Sequence, residues 1–116
     1  ALVIGGTAQD FLGEYMAGGT VILLDLKGQG HRANFIGSGM HGGTIYLRGS
    51  VNRSQVSELV EISPIDEADR GILDQYVSGF IEKFPDLELI PEEVLKDDFV
   101  KLIPRSKRPY RDLYTY

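Results

Sequence analysis

The residues of this chain best placed to do chemistry are its glycines, two histidines and a few scattered carboxylates. A literal G-x-G-x-x-G occurs at Gly37-Ser38-Gly39-Met40-His41-Gly42. Glycines in that spacing let a backbone approach a pyrophosphate, provided that a strand precedes them, a helix starts inside the loop and an acid follows about twenty residues on. The helix is missing, because Gly43-Thr44-Ile45-Tyr46-Leu47 comes next and is a strand sequence. Gly28-Gln29-Gly30 reads as a turn and lacks the Lys-Ser/Thr ending of a phosphate loop. His31 and His41 have no partner histidine or carboxylate at metal-ligand spacing, so both are expected to be solvated or structural. Asp10 and Glu14 could lie near each other, but Asn34 and Ser38 stand at the corresponding places further on, and paired-carboxylate catalysis needs more than that. Asn52-Arg53-Ser54 fits a glycosylation sequon by pattern only. With no cysteine at all, a thiol nucleophile, disulfides, Cys-ligated zinc and Cys-bound iron–sulfur clusters are excluded. No residue is therefore assigned a catalytic, cofactor-binding or metal-binding role.

What must position these glycines is an internal repeat. Leu2 to Asp25 lies on Leu26 to Gly49 at an offset of 24 without a gap. Nine positions are then identical: Leu2/Leu26, Gly6/Gly30, Phe11/Phe35, Gly13/Gly37, Met16/Met40, Gly18/Gly42, Gly19/Gly43, Thr20/Thr44 and Leu23/Leu47. Each unit ends in a β-rich run introduced by a Gly-Gly pair, which helices avoid and tight corners favour. The reading is a mainly β fold, a right-handed β-helix whose coils of about 24 residues stack at the interstrand spacing of roughly 4.8 Å. Gly13, Gly18, Gly19, Thr20, Gly37, Gly39, Gly42, Gly43 and Thr44 form its structural motif. Phe11 over Phe35, Met16 over Met40 and Leu23 over Leu47 would fill the interior. A β-sandwich with a coincidental repeat is the alternative.

After the repeat the pattern changes. Ser63-Pro64-Ile65-Asp66 is a cap-like start, and Ile72, Leu73, Tyr76, Val77, Phe80, Ile81 and Phe84 follow at helical spacing until Pro85. Pro91-Glu92-Glu93 begins a shorter helix reaching about Lys96. The chain is thus expected to be one domain, with solenoid coils over 1–50 and a helical cap with an extended carboxy-terminal tail over 51–116.

Gly13-Glu14-Tyr15-Met16-Ala17-Gly18-Gly19-Thr20-Val21 and Gly37-Ser38-Gly39-Met40-His41-Gly42-Gly43-Thr44-Ile45-Tyr46 resemble the G-x-G-x-G β-helix domain that closes the large subunit of glutamate synthase. The likeness is greatest to the archaeal and bacterial forms in which that domain is a separate polypeptide. Phe99 to Tyr110 is similar to the ending that follows the solenoid there. Formylmethanofuran dehydrogenase has a subunit with the same solenoid. The resemblance implies a scaffold between a glutaminase part and an FMN-binding part, with FMN and the iron–sulfur cluster held by the partner and no cofactor here. It carries no catalytic residue over to this chain. Domains of that kind have further coils upstream, and two coils bury too little alone. The open end at Leu2 to Gly6 is then expected to be covered by missing coils, by a partner or by a second copy, so homo-oligomers through solenoid ends are foreseen.

Charge narrows the partners. Seventeen acidic against twelve basic residues leave a net charge of −5, which argues against general affinity for nucleic acid or anionic membrane. Thirteen acids and three bases fall between Glu58 and Asp98, whereas Arg105, Lys107, Arg108 and Arg111 crowd the end beside Tyr110. Those five residues are the expected partner interface, directed at an acidic protein surface. No apolar run is long enough to span a bilayer, no secretory signal is read, and the expected location is cytoplasmic. Three functions stay open: a glutamate synthase scaffold, a solenoid component of a formylmethanofuran dehydrogenase-like complex, and a free-standing solenoid that binds a small anion at its glycine corners.

Overall fold

The computed structural model describes residues 2–7, 10 and 12–105. Five strands and two helices follow in the order β1 (Leu2–Ile4), β2 (Thr20–Leu23), β3 (Thr44–Arg48), β4 (Val60–Ser63), α1 (Glu67–Lys83), α2 (Pro91–Leu95) and β5 (Phe99–Pro104). The strands form one mixed sheet in the order β1-β2-β3-β5-β4. β1, β2 and β3 are parallel, and β5 runs antiparallel to both β3 and β4.

The repeat sets the register of the parallel pair at the centre of the sheet. Thr20 faces Thr44, Val21 faces Ile45, Ile22 faces Tyr46 and Leu23 faces Leu47, the offset of 24 residues found in the sequence. The expected solenoid does not form, however. This is a small α/β domain built on one sheet. A β-helix needs strands on each side of every coil, but the first 24-residue unit supplies β1 and β2 and the second only β3, and most of the other described residues of the two units lie in turns and irregular stretches. Left-handed backbone at Gly13, Tyr15, Phe35, Gly37 and Gly39 bends those stretches too sharply for further strands. The sheet also draws strands from both sides of residue 50. Phe99–Pro104, for which the sequence pattern predicts no strand, lies between β3 and β4.

Strand alternation divides the interior into two cores, one on each face of the sheet. Ile22, Leu24 and Tyr46 turn towards α1 and α2, where Leu73, Val77, Ile81 and Val94 meet them. Leu23, Ile45, Leu47 and Leu102 turn the other way, against Ala33, Ile36, Met40, Val56 and Val60. The glycine-rich turns thus act as a covering layer opposite the helices. Leu23 and Leu47 are buried side by side, as is Met40, but Phe35 is 58% exposed on a turn instead of filling an interior. Phe11 lies outside the described residues.

α1 starts where its capping signal lies. The Asp66 carboxylate accepts the Asp69 N–H at 2.8 Å, and the Asp69 carboxylate accepts the Asp66 N–H at 2.9 Å, which satisfies two amides of the first turn. The helix ends at Phe84, before Pro85. Its interior holds Gly71 and Gly79, and a β-carbon at either would meet nothing within 4 Å. Glycine costs a helix interior about 1 kcal/mol relative to alanine. Gly71→Ala and Gly79→Ala are therefore each expected to stabilise the domain by roughly 0.5–1 kcal/mol, measured by urea unfolding.

Candidate functional site

The glycine motif sits at the amino ends of β2 and β3. Gly18 and Gly19 precede Thr20, and Gly42 and Gly43 precede Thr44, with Gly19 and Gly43 at φ 82° and 85°. Gly13 and Gly37 open equivalent turns, whose carbonyls accept the N–H of Met16 and Met40 at 2.9 and 3.0 Å. Gly39 lies under the Tyr15 ring.

Several amides in and beside this motif are spent within the protein. Gly37 N donates to Leu12 O at 2.7 Å, His41 N and Gly42 N to Met16 O at 2.7 and 3.2 Å, and Thr44 N to Gly19 O at 3.0 Å. In the other direction, Tyr15 N donates to Ser38 O at 2.8 Å. These bonds join one unit to the next. A phosphate loop needs amides converging on open space at a helix start, whereas a strand follows here. At the Gly28-Gln29-Gly30 turn, Gln29 N and Gly30 N donate to the Asp25 carboxylate at 2.9 and 2.8 Å. The protein fills that concavity with its own anion.

Several of the other sequence candidates have structural partners. His31 is buried, and its Nε2 donates to the Arg48 carbonyl at 2.8 Å, whereas His41 is exposed. Asp10 accepts the Asn34 N–H at 2.7 Å, a link between units, and Glu14 is exposed. Arg53 donates to the carbonyls of Val60 and Ser57 at 2.6 and 2.7 Å. Arg48 is ion-paired with Asp97 and donates to Leu24 O at 3.2 Å, so the open depression of about 420 Å³ around it has its main cation engaged. Among the described residues, no group of His, Cys, Asp or Glu is arranged to hold a metal. Arg105 is exposed, while Lys107, Arg108, Tyr110 and Arg111 lie outside the described residues.

Two buried polar networks were not legible in the sequence. Gln55 accepts the Asn52 N–H at 2.9 Å and donates to the carbonyls of His31 and Ala33 at 2.7 and 2.8 Å, which ties the chain after β3 to the preceding unit. On the other face of the sheet, Asp69 of α1 accepts the Tyr46 hydroxyl at 2.6 Å and the Lys101 ammonium at 2.7 Å. Tyr46 and Lys101 belong to β3 and β5, so one carboxylate fastens a helix to two strands. Burial pushes the Asp69 carboxyl up, but the Asp66 N–H, the Lys101 ammonium and the Tyr46 hydroxyl outweigh it and hold its pKa at about 2. Burial, together with the anionic Asp69, pushes the Tyr46 phenol well above its ordinary range. Lys101 is raised because its charge is held by Asp69, against the effect of its own burial. A carboxylate with these donors, beside a phenol held neutral, is a fastening and not a base poised for a substrate.

A match to a known family covers this whole arrangement. The GXGXG motif family matches residues 1–105, which takes in both units, both helices and β5. The chain belongs to that family. Membership bears out the resemblance to the G-x-G-x-G domain of glutamate synthase type. The chain is also 40% identical over 119 aligned positions to the uncharacterized protein MJ1350 of Methanocaldococcus jannaschii. That match covers 98% of this chain and 46% of the relative, so the chain spans about half the length of the curated relative it matches. In this member of the GXGXG family, the named glycines make turns and unit-to-unit contacts. No helix among the described residues is long and apolar enough to cross a membrane.

Proposed function

We propose that this chain is the non-catalytic scaffold domain or subunit of a glutamate synthase-like assembly, supporting the parts that release ammonia from glutamine and add it to 2-oxoglutarate. The observation that carries this reading is the GXGXG family match over residues 1–105, in a chain where the Gly37, Gly42 and Thr44 amides bond one repeat unit to the other. FMN and the iron–sulfur cluster of such an assembly belong to the partner. The iron–sulfur cluster does not suit the residues here, because the chain has no cysteine to ligate it.

Co-expression with a glutamate synthase FMN-binding polypeptide from the same source is expected to give a complex that co-elutes in size exclusion. Deleting Ser106 to Tyr116, which spares β5, should weaken it, as should added salt if the basic residues pair with acidic ones across the interface. Separate elution of two folded species at low salt would remove this reading. Co-elution with formylmethanofuran dehydrogenase polypeptides instead would transfer the scaffold role to that complex.

A further inference from the structure

We draw no further inference here: the strongest candidate, the surface patch with exposed Phe84, Leu87 and Ile90 after the end of α1, is an unpartnered apolar face, and nothing in the structure shows what covers it.

Discussion

Asp69→Ala is expected to destabilise the domain by about 3–5 kcal/mol, the usual cost of removing one member of a buried ion pair. The carboxylate is 8% exposed and receives Tyr46, Lys101 and the Asp66 N–H, so its loss strands an ammonium that is itself 16% exposed and a buried phenol. It also removes half of the capping box that starts α1. Since domains of this size are stable by only about 5–15 kcal/mol, the variant should unfold at markedly lower denaturant. Tyr46→Phe should cost only about 1 kcal/mol, because it removes one hydrogen bond and leaves Asp69 with its cation. Comparable losses in the two variants would sink the view that the carboxylate is the fastening point.

The same group sets the pH dependence. Asp69 has a folded pKa of about 2 against an ordinary 3.8, so its contribution is fully present above pH 4 and is lost as pH falls through its folded value. The difference is worth about 2 kcal/mol by proton linkage. Tyr46 and Lys101 are shifted upward, so their contribution is present below their ordinary pKa values of 10.0 and 10.5 and is lost as pH rises through the folded ones. Urea midpoints are expected to be level between about pH 5 and 9 and to fall on both sides. In Asp69→Ala the fall between pH 4 and 2 should be shallower than in the parent.

The repeat was legible because identical glycines and β-branched residues recur at a fixed interval, and that interval became the register of β2 on β3. It did not reveal how many strands each interval contains. The stretch from Gly28 to Gly43 could have held strands by composition, but Asp25 draws the Gly28–Gly30 turn onto its carboxylate, and left-handed Phe35, Gly37 and Gly39 fold the rest into turns. α1 was legible from its cap and the spacing of Leu73, Val77 and Ile81. β5 was not, because Phe99–Pro104 has no turn partner adjacent in sequence and pairs with residues about forty to fifty-five positions away. The Tyr46–Asp69–Lys101 network was hidden for the same reason. Its members lie on three elements that only the sheet order brings together.

Gly43→Val and Gly19→Val, compared side by side, are expected to separate backbone strain from the packing of one unit against the next. The two glycines are equivalent in the repeat and share nearly the same φ, 85° and 82°, a region that β-branched residues rarely enter. Both substitutions should therefore cost a similar 1–3 kcal/mol in strain. Their surroundings differ. A β-carbon at Gly43 would lie 2.7 Å from Met16 Cε and 2.9 Å from the backbone carbonyl of Gly18, whereas one at Gly19 would meet nothing within 4 Å. Met16 can swing aside, but the Gly18 carbonyl belongs to the backbone leading into β2 and cannot move without disturbing the Thr44 N–H bond to Gly19 O. Overpacking of that kind adds about 1–3 kcal/mol. Gly43→Val should thus unfold at lower urea than Gly19→Val by about that difference, and should melt at a temperature where Gly19→Val still holds. Equal midpoints would mean that the glycine pairs serve the turns alone and that the second unit does not rest on the first at this corner.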